Sequence, residues 1–94
     1  MKLRFTEAAK KDYQEAKSWY EEIDPDLGSY FEATIDEALG RVKNNPMQYQ
    51  EISGDTRKTV ILKFPYNLFY LISDNTIVIT ALLHHRRDPE QWKR

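Results

Sequence analysis

Residues 56–92 read TRKTVILKFPYNLFYLISDNTIVITALLHHRRDPEQW. Three runs rich in Val, Ile, Leu, Phe, Tyr and Thr are parted by two sets of turn residues, the pattern of an antiparallel three-strand meander. In the first run Val60, Leu62 and Phe64 alternate with Arg57, Thr59, Ile61 and Lys63, so the two sets are expected on opposite faces. Pro65 falls beyond this strand, at the turn, where its missing N–H does little harm. The second and third runs, 67–72 and 77–83, are apolar on both faces, which places them inside the sheet. Ser73-Asp74-Asn75 joins them as a hairpin, since Asp and Asn tolerate positive backbone dihedrals. The last strand runs without a break into His84-His85-Arg86-Arg87. Asp88-Pro89-Glu90 then reads as the cap of a short C-terminal helix that returns Trp92 to the sheet.

Upstream, Leu3 and Phe5 alternate with Lys2 and Arg4, the period of a half-buried first strand. Thr6 caps a helix whose stripe is Ala9, Tyr13, Ala16, Tyr20 and Ile23. Asp24-Pro25 restarts the chain as a second helix with the stripe Leu27, Phe31, Ile35, Ala38, Leu39 and Val42. Asn44-Asn45-Pro46 stops it, through the restriction proline places on the residue before it and through a left-handed Asn cap. Residues 47–55 read as a loop pinned by Tyr49 and Ile52, with a turn at Gly54-Asp55. The expected architecture is α+β: an N-terminal strand and a two-helix hairpin packed on a four-stranded, mainly antiparallel sheet, with a short C-terminal helix.

The 94 residues make one domain, 1–94, with room for one core. No cysteine is present, which excludes disulfides and thiolate metal sites. No run approaches the length of a membrane span, and the opening MKLRFTEAA lacks the apolar segment of a signal peptide, so a cytoplasmic protein without a membrane partner is expected. The net charge of −1 hides an uneven distribution. Seven Lys/Arg stand against twelve Asp/Glu before Thr56, a net of −5, and seven against three from Thr56 onward, a net of +4. The basic half suits an anionic partner, and it equally suits charge solvated over a surface.

The order strand, helix, helix, meander accompanies three sequence features. They are the opening FTEAAKKD at Phe5 to Asp12, the pattern R-x(7)-P-Y-x(3)-Y at Arg57, Pro65, Tyr66 and Tyr70, and the ending H-x-x-R-D-P-x-x-W at His84, Arg87, Asp88, Pro89 and Trp92. Together they resemble the RelE/ParE superfamily of toxins from type II toxin-antitoxin systems, over nearly the whole chain. The likeness is closer to the ParE-like branch, that of plasmid stabilisation proteins. It implies a small toxin silenced by a cognate antitoxin, with either of two mechanisms. RelE-like members cut messenger RNA on the ribosome, and ParE-like members poison DNA gyrase by binding.

Cutting RNA through its 2'-hydroxyl needs a base for that proton, cations around the phosphorus and an acid for the leaving oxygen. The likeness places the cations of RelE-like nucleases at alternate positions before the motif tyrosine and directly after it. Those positions here are Lys58, Val60, Leu62 and Asn67, so one cation of the set survives. An anion facing hydrocarbon loses hydration without compensation. A sequence pI near 6.1 is also poor equipment for approaching a polyanion. Binding to gyrase is therefore the expected activity. The alternatives are a ribosome-dependent endoribonuclease acting on mRNA with His84, His85, Lys58, Arg86 and Arg87, and a toxin-fold protein that is not toxic.

Imidazole titrates near neutrality and guanidinium stabilises phosphoryl oxyanions, which makes the two histidines the catalytic candidates. Alternation sends one to each face, so at most one meets a groove. Tyr66 and Tyr70 share a face as core or groove-lining rings, and Arg57 reads as a tie to a carboxylate such as Asp88. Arg86, Arg87, Trp92, Lys93 and Arg94 form the expected target contact. Val60, Leu62, Phe64, Leu68, Tyr70, Ile72, Val78 and Leu82 exceed what two short helices cover, so one sheet face is expected partly bare. Val60, Leu62, Tyr66 and Tyr70 are the expected antitoxin-binding residues, through a docked helix or an added strand. No metal and no cofactor is implied. A homodimer and a hetero-oligomer with the antitoxin both stay open.

Overall fold

The computed structural model describes residues 1–86 together with Trp92 and Lys93. In chain order the elements are β1 (Lys2–Phe5), α1 (Glu7–Ile23), α2 (Pro25–Asn44), β2 (Glu51–Ser53), β3 (Thr56–Val60), β4 (Tyr66–Ser73) and β5 (Thr76–His84). The sheet has five strands in the order β1-β5-β4-β3-β2, with β1 parallel to β5 and the other neighbours antiparallel. The expected count of four strands is therefore corrected to five. The extra strand is β2, three residues of the segment read as a loop, too short for a period-2 pattern to register. No C-terminal helix occurs among the described residues, and the Asp88-Pro89-Glu90 segment expected to cap one lies outside them.

Both helices begin where side-chain chemistry dictates. Thr6 Oγ1 accepts the N–H of Ala9, and Asp24 Oδ1 accepts that of Asp26 with Pro25 in the first turn. The C-cap of α2 departs from expectation. Asn45 lies at φ −152° and not in the left-handed region, so the proline that follows is what ends the helix. Gly28 lets the helices close together, because a Cβ there would meet Glu21 Cγ at 2.1 Å.

Asp74 and Asn75, at φ 50° and 59°, form the two-residue turn between β4 and β5 as expected. The first long run behaves otherwise. The strand ends at Val60, and Lys63 takes φ 71° in the connection to β4, so alternation fails beyond that point. Phe64 and Ile61 both enter the core, while Val60 and Leu62 face solvent.

The core lies between the helical hairpin and one face of the sheet, with Phe31, Ile35, Val42, Leu68, Tyr70 and Ile77 almost without exposed surface. At about 25 cal/mol per Å² of apolar area removed from water, this face is the main source of stability. Ile23, expected in the α1 stripe, lies at its exposed end. A β-bulge interrupts the β4–β5 register, where Phe69 pairs with Ala81 and Tyr70 with Ile79, leaving Thr80 as the extra residue. Ile77 and Ile79 face the helices before it, and Leu82 does so after it. On the far face Phe69, Ala81 and Leu83 form a second cluster with Ile52 and Trp92 packed on it. The Trp92 and Phe69 rings stack at 5.9 Å and 8°, so Trp92 does return to the sheet.

Candidate functional site

The C-terminal end of β5 gathers most of the candidate residues. Because the bulge shifts the alternation by one, His84 falls on the helix face with Leu82. Its ring meets Tyr66 edge-on at 5.2 Å, and its Nδ1 accepts the backbone N–H of Arg86 at 3.0 Å. His85 falls on the far face, with Nε2 3.2 Å from Asn67 Oδ1 and its backbone N–H on Pro65 O at 2.8 Å. The opposed faces expected for the pair are observed, and each ring has a structural partner. Lys58 is exposed on the far face beside Phe69, which pairs with Ala81. Lys58 and His84 thus lie on opposite faces of the sheet, while the His85 ring, on the same face as Lys58, is held at Asn67, two residues along β4 from the Phe69 that pairs with Lys58.

Two other cations hold the fold. Arg57 Nη1 donates to Tyr49 O at 2.6 Å and Met47 O at 3.2 Å, and Nη2 to Glu51 Oε1 at 2.9 Å. Its expected structural role is seen, with Glu51 as its carboxylate; Asp88 lies outside the described residues. Arg41, which sequence reasoning missed, reaches from α2 to Glu37 Oε2, Tyr49 Oη, Thr59 Oγ1 and the carbonyl of Val60. Only its position in the last turns of α2 hinted at this. On the outer side of the hairpin Lys17 Nζ and Tyr13 Oη both donate to Glu32 Oε2, at 2.6 and 3.2 Å. These bonds hold the Glu32 carboxyl below its usual range and the Lys17 ammonium above. Burial, with Glu32 beside it, pushes the Tyr13 hydroxyl up to about 12.

The expected antitoxin set divides. Val60 and Leu62 are 48% and 49% exposed, but Tyr70 is 0% exposed, its hydroxyl donating to Pro46 O, and Tyr66 packs partly buried under the helices. Tyr70 is therefore corrected to a core residue, because the face it shares is the one the hairpin covers. The bare face expected from surplus hydrocarbon is also smaller than expected, for a different reason: Phe69, Val78 and Leu83 are buried, Phe69 and Leu83 in the far-face cluster on which Ile52 and Trp92 pack, and Val60 and Leu62 remain exposed. Of the expected target contact, Arg86 is exposed at the strand end, Trp92 lies on Phe69, and Lys93 Nζ sits 5.4 Å from the Trp92 ring centre. Arg87 and Arg94 lie outside the described residues.

Missed altogether was a recess of about 190 Å³ beyond the end of β1, between α1 and the open edge of β5. It is lined by Asp12, Glu15, Ala16, Trp19, Tyr66, Leu82 and His84. Asp12 Oδ2 accepts the N–H of Leu82 at 3.0 Å, which fixes the helix to the strand there. Among the described residues no group of three His, Asp or Glu is placed to hold a metal, and no helix is long and apolar enough to cross a membrane.

The fold is thus a strand, a helical hairpin and an antiparallel meander, with the strand-end imidazoles of His84 and His85 held by structural bonds and Val60 and Leu62 exposed. Residues 3–89 match the family described as the ParE toxin of type II toxin-antitoxin system, parDE. The chain belongs to that family, which implies an antitoxin partner. Its fold is similar to a solved structure described as the chromosomal ParDE TA system from P. aeruginosa, with TM-score 0.78 and 16% identity over 89% of this chain and 95% of that one. No curated protein matches the sequence.

Proposed function

We propose that the chain arrests growth by binding, with DNA gyrase as its target in the cytoplasm, and that a cognate antitoxin silences it. The observation that carries this is hydrocarbon where a message-cleaving relative would carry cations. Val60 and Leu62 stand open to solvent and Asn67 is bonded to His85, which leaves Lys58 as the one cation of the set. A phosphate placed there would lose water and gain little. Arg41 and Arg57 already hold carbonyls and carboxylates. A general acid needs cations converging with it on one atom, and the distribution of Lys58, His84 and His85 over two faces works against that.

Target contact falls to Arg86 with Arg87, Trp92, Lys93 and Arg94, while Val60 and Leu62 belong to the antitoxin contact. The test is induction of the chain without its antitoxin, followed by DNA synthesis, message integrity and supercoiling by purified gyrase. Blocked supercoiling with intact messages is expected. His84→Ala and His85→Ala are expected to stay toxic, and removal of Lys93 and Arg94 to abolish toxicity. Cut messages with active gyrase would restore the ribosome-dependent nuclease, and normal growth would indicate a toxin fold without toxicity.

A further inference from the structure

We infer that the outer side of α1 is a docking surface for a basic, apolar-anchored helix of the cognate antitoxin, seated on Trp19 and over the recess at the end of β5. This rests on the antitoxin-controlled binding proposed above and adds a site to the Val60 and Leu62 edge.

Trp19 is 63% exposed and Ile23, one turn further along α1, is 61% exposed. An indole left in water at that level forgoes the burial that makes Trp a frequent interface anchor. Trp19 stands between two hollows. One is the 190 Å³ recess, and the other is a shallow one of about 350 Å³ lined by Gln14, Glu15, Ser18, Trp19 and Glu22. Glu15 borders both hollows, and its pairing with Lys11 is a loose 4.0 Å contact. The charged side chains lining the two hollows are Asp12, Glu15 and Glu22, with no Lys or Arg among the lining residues. The complement of such a surface is a segment carrying Arg or Lys around one or two apolar anchors, with a cation set over the Trp19 face.

The sign of the charge selects the partner. Gyrase would meet the cationic strand end and tail, so the anionic α1 surface suits a partner of opposite charge. The two surfaces are contiguous. His84 lines the recess, and two residues on Arg86 anchors its N–H to the His84 ring. A helix lying over Trp19 and the recess reaches Arg86 and covers the first residue of the target contact. Silencing by occlusion follows from that adjacency.

The test uses the antitoxin produced from the adjacent reading frame and the full-length chain, with calorimetric titration of the wild type, Trp19→Ala and Glu15→Lys/Glu22→Lys. All three sites are exposed, and thermal unfolding verifies that each variant is folded. Loss of a Trp anchor is expected to weaken binding about 30-fold or more. The charge reversal is expected to weaken it about tenfold at low salt, with the difference closing in high salt. Affinities within about twofold of the wild type for both variants would overturn the proposal. So would unchanged antitoxin affinity combined with loss of gyrase inhibition in Trp19→Ala, or with dissociation of a homodimer by that substitution. Those outcomes assign the surface to the target or to a second copy. Because the titration does not depend on gyrase, failure of the target assignment and failure of this site read out separately.

Discussion

Arg57→Ala separates two ways of holding the segment between α2 and β3. Its side chain is only 13% exposed, whereas that of Glu51 is 54% exposed. An ion pair with so exposed a partner contributes under about 1 kcal/mol. Hydrogen bonds from a charged donor contribute about 1.5–3 kcal/mol each when sheltered. The bond to Tyr49 O is partly buried and that to Met47 O exposed, so about 2 and about 1 kcal/mol are appropriate. Arg57→Ala should therefore cost about 3 kcal/mol or slightly more, and a domain of this size loses roughly 4–8 °C of Tm per kcal/mol. A fall of roughly 12–24 °C in a calorimetric or circular-dichroism melt is expected. Glu51→Gln should lower Tm by only a few degrees, roughly the effect of an exposed pair. Arg57→Lys should fall between, because a single ammonium cannot span two carbonyls and a carboxylate. Equal losses for Glu51→Gln and Arg57→Ala would refute the reasoning, by showing that the ion pair and not the carbonyl bonds ties the segment down.

Three further outcomes are expected. Gly28→Ala should destabilise by about 1–2 kcal/mol despite alanine's helical preference, because Glu21 Cα lies 3.2 Å from the new Cβ; in a Glu21→Ala background urea unfolding should show a smaller cost, since the 2.1 Å contact with Glu21 Cγ is gone. Burial raises the hydroxyls of Tyr13 and Tyr70 from 10.0 to about 12. The neutral forms are thus favoured by folding, so their stabilisation is complete below pH 10 and is lost as pH rises through about 12. Tyr13→Phe and Tyr70→Phe should each flatten that alkaline loss in a pH series of melts. Val60→Lys with Leu62→Lys should leave stability within about 0.5 kcal/mol, both side chains being half in water, and should weaken antitoxin capture in a pull-down.

Much of the fold was legible because several signals coincided. Thr6, Asp24 and Pro25 marked the helix starts, and the α2 stripe from Leu27 to Val42 is the one that packs. Hydrocarbon on both faces of residues 67–72 and 77–83 placed these strands inside the sheet, as the strand order shows. What escaped depends on single residues acting against the period. Lys63 ends the alternation that would have put Val60 and Phe64 on one face, and Thr80 shifts the face count of β5 by one. Three residues, Glu51-Ile52-Ser53, form a strand through contacts made from afar, with Arg57 on Tyr49 O and Glu51 and with Ile52 packed on the Phe69 cluster. The candidate site was legible in its membership and less so in its layout. His84 and His85 divide between faces as alternation demands, but neither the burial of Tyr70 nor the recess beside Trp19 has a local signature, since both depend on where the hairpin lands.

The extra residue at Thr80 also bears on how such proteins diverge. Adding or deleting a single codon at that point leaves the turn at Asp74-Asn75 and the pairing before the bulge in place, yet exchanges the surfaces on which His84 and His85 emerge. Descent could thus trade one imidazole for the other at the strand tip by an indel, without any substitution in the tip itself. Relatives aligned by residue count alone would then appear to share a histidine that in space occupies opposite sides.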